Sequence, residues 1–294
     1  MIKKFFMAVI ALMMTVSVSA QFYIYLSNGD VLQADSISLV APSAPVTPDP
    51  IIPDPTPTGD GVLSGEFSVS ATTKVHFSQG NLQYVGIWQF AEHQWDYFGD
   101  NQYDNHRDLF GWGTGDAPNK VSTDYNDYST FVDWGANAIT NGGNEANQWR
   151  TLTKDEWGYL FNSRTEASSK YGAAKVNGIT GVVLLPDNWT LPSGCGFTAG
   201  MTNASSWNDW SLVASTNIYD ASQWSLMESA GAVFLPAAGG CYGTGVYPVR
   251  SYGFYWSATP YDTGYACYLG FGSDDLYPQR SSNRNSGLSV RLVR

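Results

Sequence analysis

The stretch that decides the fold is residues 255–294, YWSATPYDTGYACYLGFGSDDLYPQRSSNRNSGLSVRLVR. Two kinds of position alternate in it. One kind follows an apolar pattern and predicts a buried framework: Tyr255, Trp256, Ala266, Leu269, Phe271, Leu276, Pro278, Gly287, Val290 and Leu292. The other kind is small, polar or aromatic without an apolar pattern and predicts displayed, ligand-binding positions: Gly264, Tyr265, Cys267, Gly270, Gly272, Asp274, Asp275, Tyr277, Arg280, Ser281, Ser282, Asn283, Asn285 and Ser286. The division predicts a surface with a fixed framework and exchangeable contacts, at about residues 262–286.

The residue types of this stretch fit a restricted set of codons. Residues 257–294 contain no Lys, Glu, Met or Trp. Mutation of both adenines in an AAY codon cannot produce Lys, Glu, Gln, Met or Trp, and every displayed residue lies within the remaining set. Gln279 is the one excluded type present, and we assign it to the framework. A surface loop region rich in glycine and serine is the alternative interpretation of the same composition.

We expect the displayed side chains to converge on one exposed face. Side chains alternate along a strand, so Leu269, Phe271 and Leu276 would point into the core while their neighbours point outwards. Tyr265 and Tyr277 are the predicted anchors, because tyrosine is one of the residue types that dominate binding energy. Loop residues facing in several directions are the alternative arrangement.

Composition and charge bound the class of protein. The chain has 294 residues, of which 43% are hydrophobic, enough for a sizeable core. Its 18 Tyr, 11 Trp and 14 Phe suit packing and recognition equally well. A net charge of -11 disfavours nucleic acid and anionic membrane surfaces as partners.

The N-terminus has the pattern of an export signal. Lys3 and Lys4 precede an apolar run at 5–16, and small residues at 18–20 predict cleavage before Gln21. The predicted signal peptide is therefore 1–20, and the mature protein would be secreted or held at the cell surface. The apolar run is too short to span a bilayer, and no later segment approaches the required length, so we expect no transmembrane segment.

The remainder divides into a leader, a linker and one large domain. Alternating residues around Asn28 and Gly29 predict a β-hairpin leader at 21–41. Half of the chain's 14 prolines lie between 42 and 57, which predicts an extended linker at 42–60. The domain at 61–294 contains many short alternating runs and two helical patterns. The first helix opens at Thr153, where Glu156 completes a capping box, and the second runs near 221–231. This pattern predicts the α+β class, with short strands, two main helices and long loops.

Several motifs resemble the formylglycine-generating, sulfatase-modifying family. WRTLTKDEW at 149–157 is similar to that family's helix entry, FLPAAG at 234–239 follows in order, and FYWS at 254–257 and GLSVRLV at 287–293 are similar to its closing strands. The resemblance covers most of 61–294 and implies a C-type lectin-like fold. It is nearest to exported paralogous proteins of gut Bacteroidetes and to the variable proteins of diversity-generating retroelements.

The resemblance to the variable proteins implies a function. Such proteins display adenine-mutagenised residues on the C-terminal face of the fold. The resemblance implies that the variable region here is 252–294 and that the chain would bind a protein or glycan ligand on another cell, a phage or a host surface. Two alternatives stay open. One is an undiversified adhesin or glycan-binding module, which would stack exposed aromatic rings on sugars. The other is an oxidoreductase of the formylglycine type.

The cysteines and other metal-ligand types argue against catalysis. The resembled enzymes use paired cysteines in their C-terminal part to bind copper, and Cys267 stands alone there, so we expect no enzyme. Cys195, Cys241 and Cys267 allow at most one disulfide, with Cys267 as the leftover thiol. We expect no cofactor. His76, His93 and His106 are spread too widely for a local zinc motif. Asp100, Asp104 and Asp108 could furnish oxygens for calcium, but they lack the glycine and terminal glutamate of an EF-hand, so a solvated loop is favoured. Trp207, Asn208 and Asp209 resemble part of a calcium-dependent lectin site but lack its partner motif.

This ligand inventory predicts the metal content of the protein. A single cysteine in the C-terminal stretch and dispersed histidines cannot supply a site for soft or borderline metals, so the purified protein should bind neither copper nor zinc stoichiometrically. Elemental analysis after mild chelation measures this. One tightly held copper per chain would instead support the oxidoreductase alternative.

Overall fold

The computed structural model describes residues 22–25, 31–34, 59–247 and 249–294. The chain divides into two units between Ile51 and Ile52. The first unit contains an antiparallel pair of strands, β1 (Phe22–Tyr25) and β2 (Val31–Ala34), in which Tyr25 pairs with Val31. The predicted signal peptide at 1–20, the turn at Asn28 and Gly29, and the linker up to residue 58 lie outside the described residues.

The second unit combines many short strands with two α-helices. The strands are β3 (Phe67–Ser68), β4 (Lys74–Val75), β5 (Leu82–Tyr84), β6 (Trp88–Phe90), β7 (Arg150–Thr151), β8 (Tyr171–Val176), β9 (Ile179–Leu184), β10 (Ile218–Tyr219), β11 (Val233–Pro236), β12 (Gly240–Tyr242), β13 (Gly245–Tyr247), β14 (Gly253–Pro260), β15 (Tyr265–Phe271), β16 (Leu276–Asn283), β17 (Ser286–Gly287) and β18 (Leu292–Val293). The helices are α1 (Lys154–Gly158), which continues as a π-helix over Tyr159–Ser163, and α2 (Ala221–Ser229). Several small sheets result, as expected of the α+β class. No helix among the described residues has the length and apolar character needed to cross a bilayer.

Both α-helices begin where the sequence predicts. At α1 the Thr153 hydroxyl accepts from the Glu156 amide at 3.3 Å, and the Glu156 carboxylate accepts from the Thr153 amide at 2.8 Å. This is the predicted capping box, which satisfies two backbone donors that a helix start would otherwise leave open. At α2, Asp220 and Gln223 form a second capping box. Its end comes earlier than predicted, at Ser229, and Gly231 follows with a left-handed φ of 95°.

Two sheets carry most of the strand residues. One has the order β10-β8-β9-β11, and its β8–β9 hairpin turns through Asn177 and Gly178, both with positive φ. The other has the order β14-β15-β16, so β16 lies at an edge and β15 in the centre. The second sheet contains eight of the fourteen predicted display positions, and the other six lie in the segments that flank β15 and β16.

Strand β15 is covered on both faces by the core. Leu269 and Phe271 belong to one buried cluster, built around Trp157 and Phe77. Ala266 and Tyr268, which alternate with them, belong to a second cluster around Trp256. Strand β15 is therefore a central element of the fold, buried from residue 266 to its end at Phe271.

The predicted framework is confirmed by burial. Tyr255, Trp256, Ala266, Leu269, Phe271, Gly287, Val290 and Leu292 are buried, and Leu276 and Pro278 are half-buried. Gln279 also serves the framework, because its amide donates to the Lys154 carbonyl oxygen at 3.2 Å and ties β16 to α1.

The sequence motifs at 149–157, 254–257 and 287–293 meet in space. Strand β7 pairs with β18 through Thr151 and Leu292. The Ala258 amide donates to the Leu152 carbonyl oxygen at 2.9 Å, and the Trp256 amide donates to the Ser289 carbonyl oxygen at 3.0 Å. These contacts join three distant segments around one part of the core.

Trp256 tests how much this junction contributes. Its side chain is 1% exposed, and its indole N–H donates to the Phe110 carbonyl oxygen at 2.7 Å. Trp256→Ala should lower the free energy of unfolding by about 3 to 5 kcal/mol, because it leaves a cavity in the core and removes one hydrogen bond to the Phe110 carbonyl oxygen. Tyr277→Ala, a half-exposed aromatic in the same sheet, is the control and should cost below about 1 kcal/mol. Urea denaturation measures both, and equal losses would contradict the division into framework and display positions.

Candidate functional site

The candidate site is built on the β15–β16 hairpin. The pairing begins with Tyr265 opposite Asn283 and continues regularly to Tyr268 opposite Arg280. A β-bulge follows, after which Gly270 pairs with Tyr277. Strand β16 lies at the edge of this sheet, and all of its residues are half-buried or exposed, whereas β15 is buried after Tyr265. The side chains of β16 are therefore the ones that the hairpin can present.

The bulge sets the direction of two side chains. The paired residues on either side of the bulge are two positions apart on β15, Tyr268 and Gly270, but three positions apart on β16, Arg280 and Tyr277. Arg280 and Tyr277 therefore face the same side of the sheet, which strict alternation would forbid for residues three apart. The Arg280 guanidinium lies 4.1 Å from the centre of the Tyr277 ring.

An aromatic–arginine patch surrounds this pair, formed by Trp207, Tyr252, Phe254, Tyr277 and Arg280. The Arg280 guanidinium also lies 5.4 Å from the Trp207 ring centre. Trp207 packs against Tyr252 at 4.9 Å and Tyr277 at 5.9 Å between ring centres. Tyr252 in turn stacks on Phe254. The four rings are half-buried and Arg280 is exposed, so the patch combines fixed aromatic surface with an accessible cation.

The turn between the two strands is tied to the same patch. The Ser273 amide donates to the Trp207 carbonyl oxygen at 2.8 Å, and the Thr202 amide donates to the Ser273 carbonyl oxygen at 2.7 Å. The Tyr277 hydroxyl donates to the Asp275 carboxylate, and this hydrogen bond raises the pKa of Tyr277. Asp275 is exposed and Asp274 half-buried. The turn thus presents carboxylates beside the cation of Arg280.

The structure corrects four of the predicted display positions on or beside β15. Cys267, Gly270 and Gly272 are buried because this strand is covered on both faces, and Gly264 is buried against Tyr125. A Cβ at Gly264 would lie 3.1 Å from the Tyr125 ring, and one at Gly270 would lie 2.7 Å from the Tyr268 ring. A Cβ at Gly272 would overlap the Trp207 carbonyl oxygen. These glycines allow close packing and do not present contacts to solvent.

A second correction concerns the end of the predicted face. Asn285 and Ser286 are buried. Asn285 donates to the Thr123 carbonyl oxygen, and Ser286 pairs with Tyr242. Arg284, which precedes them, lies 4.4 Å from the Trp112 ring centre and donates to backbone carbonyls of other segments. This turn holds the fold together, whereas Ser281, Ser282 and Asn283 remain half-buried on β16.

The two predicted anchors do not share a face. Tyr277 lies on the side of Gly270 and Tyr268, whereas Tyr265, three residues before Tyr268, lies on the opposite side of the hairpin. Tyr265 is exposed, and it stands about 17 Å along the strand from Gly270. The single-face prediction is therefore wrong for Tyr265. The residues that do gather are Asp274, Asp275, Tyr277 and Arg280.

The three cysteines are free thiols. Cys241 and Cys267 are buried and Cys195 is half-buried. Burial raises the pKa of Cys241 to about 11 and also raises the pKa of Cys267 and Cys195. The thiolate is the nucleophilic form of cysteine, so these thiols are poorly suited to nucleophilic chemistry at neutral pH.

The three histidines and the aspartates of the loop at 100–108 have separate surroundings. Among the described residues, no group of three or more His, Cys, Asp or Glu could hold a metal ion. Asp108 is buried and accepts from the Phe98 amide at 2.7 Å, and desolvation raises its pKa to about 6. Asp104 faces Arg107 at 3.9 Å, and Asp100 is exposed. Each histidine has a different neighbour. The His76 ring contacts the Leu63 carbonyl oxygen, and the His93 ring contacts the Asp96 carboxylate. The His106 ring stacks with the rings of Phe98 and Tyr103.

The Trp207 motif also has a structural role. Asn208 accepts from the Ser206 hydroxyl at 2.7 Å, and Asp209 accepts from the Ser211 amide at 3.1 Å, so both side chains are engaged within their own loop. Trp207 itself enters the aromatic–arginine patch, a position that the sequence did not reveal. The sequence also gave no sign that Tyr252 and Phe254 are site residues, because no local pattern indicates that Tyr252 contacts Trp207, which lies about 45 residues earlier in the chain.

The family described as a domain of unknown function, DUF8237, matches residues 210–293, which include the whole β15–β16 hairpin. No curated protein and no solved structure shows significant similarity to the chain.

The buried glycines generate a prediction that separates packing from display. Gly272→Ser should lower the free energy of unfolding by about 1 to 3 kcal/mol, because its Cβ would push against the Trp207 backbone. Ser281→Ala on β16 is the matched control and should change stability by less than about 0.5 kcal/mol. Urea denaturation of both variants decides the question. A neutral Gly272→Ser would show that this position belongs to the display set after all.

Proposed function

We propose that this chain is an exported ligand-binding protein that contacts its partner through the aromatic–arginine patch and the adjoining turn. The observation that carries the proposal is the grouping of Trp207, Tyr277 and Arg280, with ring and cation contacts at 4.1 to 5.9 Å. Trp, Tyr and Arg are the residue types most enriched among side chains that dominate binding energy. Their support from a buried central strand would keep the contact surface rigid, which lowers the entropy cost of binding.

We further propose the C-type lectin-like fold for the second unit. The support is the junction of the motifs at 149–157, 254–257 and 287–293, which carry the resemblance to the formylglycine-generating family. They lie far apart in the sequence, yet hydrogen bonds of 2.9 and 3.0 Å and the β7–β18 pairing connect them. Random similarity of short motifs gives no reason for such adjacency.

Diversification by a retroelement is the third part of the proposal. We expect variation at the half-buried and exposed positions of the turn and β16, with Tyr265 at the other end of the hairpin. The positions on the turn and β16 are Asp274, Asp275, Tyr277, Arg280, Ser281, Ser282 and Asn283. Surface substitutions at such positions have small effects on stability. The buried Cys267, Gly270 and Gly272 should stay constant.

The two alternatives gain different amounts of support. An undiversified adhesin or glycan-binding module would use the same exposed aromatic surface and needs no retroelement. The oxidoreductase would need a reactive thiol, and burial moves the pKa of Cys267 away from reactivity. The geometry therefore supports a binding protein better than an oxidoreductase.

The nucleotide sequence tests diversification directly. We expect a near-copy of the gene's 3′ end beside a reverse transcriptase gene, with adenines at the codons of the outer positions. Sequencing the locus across a population should show amino-acid changes at Asp274, Tyr277, Arg280 and Ser282 and constancy at Gly272. If the locus has no template repeat, the diversification proposal fails and the undiversified binding module remains.

A displayed library tests the binding surface independently. Randomising Asp274, Asp275, Tyr277 and Arg280 should leave most variants folded, as judged by protease resistance, and selection should yield binders to an arbitrary protein target. A library randomised to the same depth at Cys267, Gly270 and Gly272, together with buried Ala266, is the control and should be mostly unfolded. Failure of the first library to fold would contradict a display role for the patch.

A further inference from the structure

A second candidate site lies outside the hairpin. A groove of about 600 Å³ runs between the segment at 89–98, the β8–β9 turn and Arg250. Its lining includes Gln89, Glu92, Trp95, Asp96, Tyr97 and Arg250. None of these residues belongs to the β15–β16 hairpin, so the groove and the aromatic–arginine patch are formed by different residues. Its volume suits a small organic ligand or a short oligomer.

Trp95 provides a preformed aromatic surface in this groove. The His93 ring stacks on it, with 4.6 Å between ring centres and an interplanar angle of 15°. Asp96 holds His93 in place, because its carboxylate contacts both the His93 ring nitrogen at 3.0 Å and the His93 backbone amide at 2.9 Å. The Trp95 ring is half-buried and packs on the buried cluster that contains Trp224 and Met227 of α2. Its orientation is therefore fixed before any ligand binds, which lowers the entropy cost of stacking.

Polar side chains line the groove around this ring. Gln89 and Asn177 carry amides that can both donate and accept hydrogen bonds, and Glu92 carries an accepting carboxylate. Tyr97 and Phe98 add further aromatic surface. A ligand with many hydroxyl groups and apolar C–H faces matches this combination, because hydroxyls pair with amides and carboxylates while C–H groups stack on electron-rich ring faces.

Arg250 occupies a backbone conformation that favours glycine. Its φ is 66°, which costs a non-glycine residue about 1 to 2 kcal/mol. Its backbone is held on both sides, since its amide donates to the Ala237 carbonyl oxygen at 2.7 Å and its carbonyl accepts from the Thr180 hydroxyl at 2.7 Å. The guanidinium donates to the Tyr97 hydroxyl at 3.2 Å. A glycine here would relieve the backbone but would remove this donor from the groove.

We propose that this groove is a binding site for a neutral carbohydrate, of the hexose or N-acetylhexosamine class. The part of the Trp95 ring that His93 leaves uncovered contacts a sugar face, the amides and Glu92 pair with ring hydroxyls, and Arg250 donates to a hydroxyl or an acetamido carbonyl. Anionic sugars are disfavoured, because Glu92 and Asp96 place two carboxylates in the lining and the chain carries a net charge of -11.

Titration of the full-length chain with defined oligosaccharides tests the site. The probes are the neutral hexamers of glucose, mannose and N-acetylglucosamine, with sialyllactose and a heparin hexasaccharide as anionic comparators. Tryptophan fluorescence and saturation-transfer NMR report binding. We expect at least one neutral hexamer to bind and both anionic probes to bind at least tenfold more weakly. If no neutral hexamer binds, or if an anionic probe binds best, the proposal is overturned.

Three variants locate the binding. Trp95→Ala should weaken the neutral hexamer at least tenfold, whereas Trp189→Ala should leave its affinity unchanged. Trp189 is the matched control because it is half-buried against the same cluster, which contains Trp224 and Met227, but does not line the groove. Arg250→Gly should weaken binding several-fold without lowering the melting temperature, because glycine accepts the left-handed backbone. Undiminished affinity in Trp95→Ala, or in Arg250→Gly should Trp95→Ala fail to fold, would overturn the proposal.

Discussion

The burial of β15 on both faces is the constraint on which the rest of the second unit depends. Leu269 and Phe271 belong to one core cluster, and Ala266 and Tyr268 belong to another. This strand therefore connects two clusters of the interior. A strand in that position has no side chain to spare for a ligand, because each residue from 266 to 271 meets packed atoms. Its glycines are part of the same constraint, since Gly270 and Gly272 let Tyr268 and Trp207 approach the backbone.

In the proposed binding function, contact with a ligand therefore falls to the neighbouring strand and the turn. Strand β16 pairs with β15 along one edge. It is also tied to α1, because the side-chain amide of its Gln279 donates to the Lys154 carbonyl oxygen. With its backbone fixed in this way, β16 can carry side chains that contribute little to stability. Tyr277 and Arg280 are the clearest examples, since they touch Trp207 and each other at the surface. A rigid backbone with separable side chains is the physical requirement for a surface whose contacts can change.

Local patterns in the sequence predicted local structure well. The capping box of Thr153 and Glu156 depends on residues three apart, and the buried Trp256 lies in an apolar run, so both could be recognised without knowing the fold. The position of Tyr265 could not, because a β-bulge on the opposite strand decides which residues share a face. Trp207 was missed for a related reason, since its approach to Gly272 joins segments that no periodicity connects. Gly272 is buried because Trp207 packs against it, and Gly270 is buried because β15 is the central strand of its sheet. Composition reveals neither cause.

The bulge at Pro278 has a consequence for the behaviour of the protein in crowded solution. An unpaired strand edge is a template on which other chains can add by backbone hydrogen bonding, and such growth leads to fibrils. Pro278 has no backbone donor to offer an added strand, the bulge interrupts the regular spacing of β16, and the charge of Arg280 opposes the approach of a like strand. The same few residues that shape the contact surface thus oppose polymerisation along the edge, so exposing aromatic side chains there need not carry the usual risk of aggregation.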